Sequence, residues 1–116
     1  MDVESIRDYC IAKASVTETF PFGEETLVFK VSDKIFLLIG LENGDRFNAK
    51  CDPERAQELR AEYSEVQPGH HMNKVHWNTI FINGKLSEKQ ITDLIDHSYE
   101  LVIKSLPKSK QAKLIF

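Results

Sequence analysis

Two turn signals in the first half of the chain constrain its fold more than any other feature. An alternating apolar run, residues 26–31, is followed by Ser32-Asp33-Lys34 and by a second apolar run, residues 35–41. Asn43-Gly44 comes next, and this dipeptide favours a tight type I′ turn because both residues tolerate positive φ. Residues 46–51 have the pattern of a returning strand. The sequence therefore predicts three consecutive antiparallel strands joined by hairpins.

Three helical patterns flank these strands. Each combines apolar residues at three- and four-residue spacing with a polar N-cap. The first covers residues 2–14, the second begins at Asp52-Pro53 and ends near residue 64, and the third begins at Ser87 and ends before Pro107. Gln90 lies three residues after Ser87, which completes a capping-box pattern.

The segment between the second and third helices adds at least one more strand. Residues 74–82 are rich in β-branched and aromatic side chains, whereas residues 66–71 favour a loop or a short edge strand. The tail, residues 108–116, alternates charged and apolar residues and is expected to fray. We predict an α+β fold in one domain, residues 1–116: an antiparallel sheet of four to five strands with helices packed on one face, in the order α-β-β-β-α-β(β)-α. The other face would be partly open, and function is expected there.

Composition indicates an ordinary globular chain. Of the 116 residues, 41% are hydrophobic and 28% are charged. The longest apolar run, residues 35–39, is too short to span a bilayer, and the acidic start differs from a signal peptide. Cys10 and Cys51 are too few for a disulfide scaffold. We therefore expect a cytoplasmic protein with free thiols and no membrane contact.

Charge is distributed unevenly along the chain. The formal net charge is −3, but residues 1–67 carry 8 Lys and Arg against 14 Asp and Glu, whereas residues 68–116 carry 7 Lys against 4 Asp and Glu. All four histidines also lie in the second part. A negative chain is a poor general binder of nucleic acid, but a local basic face can still bind phosphate.

The densest polar cluster, residues 68–78, contains three histidines, a lysine and the only tryptophan. A metal site would use the imidazoles of His70, His71 and His76, with Cys51 as a possible thiolate. The chain has no His-x-x-x-His or Cys-x-x-Cys spacing, and adjacent histidines on an extended chain point in opposite directions. Hydrogen bonding of these polar residues within a loop is the favoured interpretation, and no cofactor is expected.

Catalytic motifs are weak. Cys51 precedes a helix N-terminus, where the helix dipole favours a thiolate, but no elbow or oxyanion-hole motif accompanies it. Cys10 is better explained as a small core residue, and the five glycines form no nucleotide-binding loop. We therefore expect a protein that is not an enzyme.

Nucleic-acid contact is a further possibility for the cluster. Lys74, His76 and Trp77 combine charge with a stacking surface, and Lys50 is expected on a nearby strand. A tryptophan is more often a core residue than a stacking platform, and strand alternation could separate Trp77 from the basic residues. We expect Lys50, His71, Lys74 and His76 to converge on one exposed surface.

Several motifs together resemble the MmcQ/YjbR family. They are Phe20-Pro21-Phe22-Gly23, Lys50-Cys51-Asp52-Pro53, the long segment Pro68-Gly69-His70-His71-Met72-Asn73-Lys74-Val75-His76-Trp77-Asn78-Thr79, and Ser98-Tyr99-Glu100-Leu101-Val102 with Leu106-Pro107-Lys108. The resemblance covers about residues 6–110. It implies a small bacterial protein with a frataxin-like, double-wing arrangement, and it implies DNA binding, the label that many family members carry.

The resemblance also implies which residues form the site. The family's recurrent polar cluster falls on six positions of this sequence: Lys50, His71, Asn73, Lys74, His76 and Trp77. A frataxin-like fold could suggest iron, but the first helix offers only Asp2, Glu4 and Asp8, and hard cations need clustered oxygens. Our leading hypothesis is a non-enzymatic module with weak, phosphate-directed contact to DNA. The alternative is a protein-interaction or small-anion-binding module that uses the same cluster.

Overall fold

The structure is a computed structural model that describes residues 1–114. In chain order its elements are α1 (Val3–Ile11), β1 (Val16–Thr19), β2 (Thr26–Val31), β3 (Lys34–Gly40), β4 (Arg46–Lys50), α2 (Pro53–Glu62), β5 (Val66–Pro68), β6 (Trp77–Phe81), α3 (Glu88–Ser105) and α4 (Lys108–Ala112). Asp2, Asp52 and Ser87 each accept a backbone N–H at the start of a helix, as the sequence predicts.

The strands form one antiparallel sheet in the order β1-β2-β3-β4-β6-β5, which confirms the predicted α+β class. The sheet has six strands among the described residues, whereas the sequence predicted four to five. The additional strand is β1, whose last three residues, Thr17-Glu18-Thr19, carry no apolar signal and which forms by pairing with β2. Residues 66–68, predicted as a loop or a short edge strand, form the edge strand β5.

The positions of the tight turns differ from the prediction. Ser32 and Asp33 have φ values of 49° and 65°, so this pair forms the two-residue hairpin turn between β2 and β3. Gly44 has φ of 67°, but Asn43 does not have a positive φ. The type I′ turn predicted at Asn43-Gly44 was therefore wrong. The chain from Gly40 to Arg46 is long enough to reverse direction with one residue of positive φ. The two-residue turn between β2 and β3 needs positive φ at both of its residues.

The helices pack on one face of the sheet, as predicted. Alternate residues of β2, β3 and β4 point toward them, and α3 supplies the opposite side of the core. The largest fully buried side chains of this layer include Phe29, Phe36 and Phe47. Burying an aromatic or branched side chain contributes about 1.5–3 kcal/mol each, so this layer dominates the stability of the fold.

A smaller apolar cluster lies on the other face of the sheet, which we call the open face. It consists of Val28, Leu38 and Trp77, against which Ile35 and Met72 pack. Met72 belongs to the loop of residues 69–76, which connects β5 to β6. The open face is therefore partly covered by a loop rather than by a helix.

The tail is more ordered than predicted within the described residues. Lys108–Ala112 form the short helix α4, and the Gln111 side-chain amide donates to the carbonyl of Leu106 at 2.8 Å. The last two positions of the predicted frayed tail, residues 115–116, lie outside the described residues. Within residues 1–114, no helix combines the length and apolarity that a membrane crossing requires.

Candidate functional site

Three pairs of residues from neighbouring strands define the open face. Since Phe47 and Ala49 are buried toward the helices, the intervening residues of β4 point the other way. The register places Arg46 opposite Phe81, Asn48 opposite Thr79, and Lys50 opposite Trp77. The open face thus changes along the strands from a cation beside an aromatic ring, through a polar pair, to a second cation beside an aromatic ring.

The polar pair fastens the 69–76 loop to the sheet. The Thr79 hydroxyl donates to Asn48 Oδ1 at 2.5 Å and accepts the backbone N–H of His70 at 2.8 Å. The Asn48 Nδ2 group donates to the His70 carbonyl at 3.2 Å. These hydrogen bonds form a closed set in which buried polar groups satisfy one another. They fix the position of the backbone at His70 above the sheet.

Arg60 holds the other end of the same loop from the helical side. Its Nε donates to Asn78 Oδ1 at 2.7 Å, and its Nη2 donates to the carbonyls of Trp77, at 3.2 Å, and Lys74. Sequence reasoning missed Arg60, which has the spacing of an ordinary exposed helix residue. The arrangement shows that α2 positions the segment that leads into β6.

Two of the sequence-predicted site residues lie on the sheet itself. Lys50 ends β4 with a half-exposed side chain on the open face. Trp77 is only 9% exposed and packs in the small cluster with Val28 and Leu38. The Trp77 ring is therefore part of the apolar packing on the open face and is not available to stack on a ligand.

The other four predicted residues lie in the loop. Asn73 Oδ1 accepts the backbone N–H groups of Val75, at 2.9 Å, and His76, at 3.2 Å, so Asn73 shapes the turn. The Lys74 ammonium donates to the Gly69 carbonyl at 2.9 Å. His76 is exposed.

The structure brings part of the predicted cluster together. The His76 carbonyl accepts the N–H of Cys51, at 2.9 Å, which places it beside the end of β4 and Lys50. His71 lies apart from them. It is exposed, has a left-handed backbone with φ of 60°, and lines a groove at the other end of the open face.

Arg46 forms a charged pair beside that groove. Its Nε and Nη2 donate to the Asp45 carboxylate at 2.7 and 3.1 Å, and its guanidinium lies 4.6 Å from the centre of the Phe81 ring. These hydrogen bonds hold the pKa of Asp45 below its ordinary value and raise the pKa of Arg46. The bidentate contact pairs the charge of Arg46 with that of Asp45, and the guanidinium also lies within cation–π distance of the ring.

The groove has a volume of about 440 Å³ and was not predicted from the sequence. The residues that surround it come from four separate segments of the chain: Phe22, Thr26, Leu38, Gly40, Asn43, Arg46, Phe47, Asn48, His70, His71 and Met72. The Phe-Pro-Phe-Gly motif was the one available signal, because it places aromatic rings in a turn-like segment. The convergence of the segments depends on strand register, which no local pattern shows.

The cysteines are less reactive than the sequence suggested for Cys51. Both Cys10 and Cys51 are buried free thiols. Burial raises the pKa of the Cys10 thiol to about 12 and that of Cys51 to about 11. The expectation that the helix dipole favours a thiolate at Cys51 was wrong, since desolvation is the larger effect there.

Comparisons with known proteins place this fold in a family. The family model described as YjbR matches residues 11–101. The chain is 33% identical over 116 residues to the uncharacterised protein YjbR of Escherichia coli K12, covering 99% of this chain and 98% of that protein. The chain belongs to the YjbR family. The resemblance seen in the sequence is thereby confirmed.

Other proteins are similar to this YjbR-family chain in sequence or in fold. The uncharacterised Escherichia coli O157:H7 protein YbdF is 38% identical over 96 residues, covering 82% of this chain and 79% of that protein. The crystal structure of Deinococcus radiodurans protein DR2400, which carries the domain DUF419, superposes with a TM-score of 0.90 at 35% identity, covering 96% of this chain and 86% of that one. A Pseudomonas syringae protein superposes with a TM-score of 0.73 at 30% identity, covering 87% and 98% respectively. The YjbR fold thus recurs in several bacteria.

Proposed function

We propose that this YjbR-family protein is a nucleic-acid-binding module that contacts the phosphate backbone of DNA through the open face of its sheet. The observation that carries the proposal is the charge of that face. Lys30 and Lys50 point from it, Lys74 lies in the loop beside it, and none of the three forms an ion pair with another described residue. Unpaired cations on one side can bind phosphate although the net charge of the chain is −3.

The geometry supports different roles for the six residues of the predicted cluster. Lys50, Lys74 and His76 are exposed or half-exposed and are assigned to phosphate contact. Asn73 and Trp77 are assigned to positioning, because one caps the turn and the other is buried. His71 lies at the groove and is considered separately below.

Binding without catalysis is the second part of the proposal. The buried thiols of Cys10 and Cys51, with raised pKa values, offer no ready nucleophile. Free cysteines also agree with a protein that works in the reducing cytoplasm, where DNA is available in bacteria. Phosphate contact needs only the positioned cations.

Fluorescence anisotropy with labelled DNA across a salt series tests the proposal. We expect affinity to fall as salt rises, and the Lys50→Glu and Lys74→Glu variants to bind several-fold more weakly with a shallower salt dependence. Lys104→Glu, an exposed change of the same charge on α3, is the matched control and is expected to have a much smaller effect. Absence of binding at low salt, or equal losses in all three variants, would contradict the proposal.

One observation favours the alternative of a protein partner. Phe20, Phe22 and Leu41 are exposed large apolar residues in the loops that follow β1 and β3. Exposed large apolar residues favour protein contact. A partner that remains bound after nuclease treatment, and is lost with Phe20→Ser but not with Lys50→Glu, would support this alternative instead.

A further inference from the structure

Gly40 forms part of the sheet floor of the groove on the open face and has no side chain. Gly40 lies in β3 opposite Thr26, and a Cβ added at Gly40 would meet no atom within 4 Å. The position that a side chain of residue 40 would take is therefore open space, and no neighbouring side chain fills it. Leu38, two residues earlier on the same face, continues the floor as an apolar surface.

The polar groups at the edge of this floor need no ligand. Asn48 Oδ1 and Nδ2, the Thr79 hydroxyl and the backbone of His70 already satisfy one another. A ligand that lies on the floor therefore displaces water from apolar surface without breaking these hydrogen bonds. This favours a ligand with a flat, weakly polar face.

The walls of the groove combine an aromatic ring with unpaired donors. Phe22, which is 65% exposed, and Met72 both line the groove. Arg46 uses Nε and Nη2 for Asp45, which leaves its Nη1 without a partner among the described residues. His71, which is exposed and also lines the groove, likewise has no side-chain hydrogen bond with another described residue. A flat ring that stacks on Phe22 can thus also receive hydrogen bonds at its edge.

We propose that this groove holds one unpaired base of a single-stranded nucleic acid. The inference rests on the proposed function and deepens it. A heteroaromatic base has the flat face that the floor and Phe22 accept, and edge acceptors for Arg46 Nη1. Since Arg46 is neutralised by Asp45, phosphate binding falls to Lys50, four residues along β4 and roughly 13 Å away. Bases inside a duplex are stacked and cannot enter, so the protein prefers single strands.

Two variants of the groove test this inference. Gly40→Val fills the floor with a residue that suits a strand, and Phe22→Ser removes the aromatic wall. Phe20→Ser is the matched control, because Phe20 is also exposed but does not line the groove. Affinities for a labelled oligothymidylate of about 15 nucleotides and for a duplex of equal length are measured by anisotropy. Circular dichroism verifies that each variant is folded.

We expect Gly40→Val and Phe22→Ser to weaken single-strand binding about fivefold or more, which corresponds to the loss of one base–aromatic stack. Duplex binding should remain unchanged. Phe20→Ser should bind both strands like the unmodified protein. The inference is overturned if the groove variants bind the single strand normally, or if they lose affinity for single strand and duplex equally.

Thymidine monophosphate separates this inference from the proposed function. We expect it to shift the amide NMR signals of Gly40, His71 and Met72 in the unmodified protein. If the protein binds both strands but the mononucleotide leaves these signals unchanged, the base site fails and the proposed function stands. If it binds neither strand at low salt, both fail. Shifts with N-acetyl-phenylalanine amide but none with the mononucleotide would overturn the base site in favour of a protein partner.

Discussion

Thr79 and Asn48 face each other across β6 and β4, and the hydroxyl of Thr79 donates to Asn48 Oδ1 at 2.5 Å. Together they also bind the N–H and the carbonyl of His70. These two side chains thus give the His70 backbone the hydrogen bonds that a neighbouring strand would otherwise supply. The shape of the loop over the open face depends on this pair.

Replacing Thr79 by valine keeps the size of the side chain and removes its hydroxyl. The His70 N–H and Asn48 Oδ1 then lose their partner in a buried site, which costs about 1–3 kcal/mol of the free energy of unfolding. Urea denaturation measures this loss. Thr17→Val, at an exposed position of β1, makes the same chemical change and should stay within about 0.5 kcal/mol. If the two variants lose similar free energies of unfolding, the hydrogen bonds of Thr79 do not account for its effect on stability.

Ser98 joins α3 to the sheet by entering the ladder between β3 and β4. Its hydroxyl accepts the N–H of Lys50 at 2.9 Å and donates to the carbonyl of Phe36. We expect Ser98→Ala to reduce the free energy of unfolding by about 1–3 kcal/mol, because both backbone groups are left without this partner. Ser105→Ala, which loses a hydroxyl bonded only within its own helix, is the control. A loss no larger than the control's would contradict this role.

The cysteines predict how the native protein reacts with thiol reagents. Because the thiolate is the reactive form and burial raises the pKa of Cys10 to about 12 and of Cys51 to about 11, neither should be labelled by Ellman's reagent near pH 8. Labelling of both thiols is expected at once in denaturant. Rapid labelling of Cys51 in the native protein, with Cys51→Ala as the blank, would show that its thiol is accessible and ionised.

His97 makes stability depend on pH near neutrality. Its Nε2 accepts the Asp52 N–H at 3.1 Å. Burial, followed by the positive charges of Arg55 and Lys104, lowers the pKa of His97 below 6.5, although Asp52 and Glu100 oppose the shift. The unfolded chain then binds a proton at a higher pH than the folded protein. The contribution of His97 to the free energy of unfolding is fully present above pH 6.5 and is lost as the pH falls through the pKa of His97 in the folded protein.

His97→Gln offers a measurement of this contribution. The Gln side chain has an oxygen that can accept the same hydrogen bond, but it does not titrate. Urea denaturation between about pH 7.5 and about pH 5.5, above the range where most carboxyl groups titrate, should show a smaller decrease in stability for the variant. Parallel pH profiles for the two proteins would exclude His97 as the cause.

The parts of the fold that were predictable have local signals. Caps mark the starts of the long helices, alternation marks β2 and a continuous apolar run marks β3, so these elements were placed correctly. β1 could not be predicted in this way, because its Thr17-Glu18-Thr19 segment becomes a strand only through pairing with β2. The turn at Ser32-Asp33 was seen as a connection, but its type depends on the register of the two strands.

The candidate site was predictable only in part, for a related reason. The dense polar cluster of residues 68–78 drew attention to the loop beside the open face. Alternation alone could not show that Trp77 is buried by Met72 or that Lys74 is bonded to the carbonyl of Gly69. The groove escaped notice because it is an empty space between four segments, and Gly40, one of its lining residues, has no side chain that a pattern of chemical groups could reveal.

The shape of the open face depends on Arg60, which belongs to α2 in the helical layer on the opposite side of the sheet. The guanidinium donates to the carbonyls of Lys74 and Trp77 at the start of β6, while the Thr79 hydroxyl binds the same loop at the His70 N–H. The loop is therefore held at two points, by Arg60 from the helical layer and by Thr79 from the sheet. Loosening α2, by mutation or by a molecule that docks on the helices, would change the contour presented to a ligand without altering any residue that touches it.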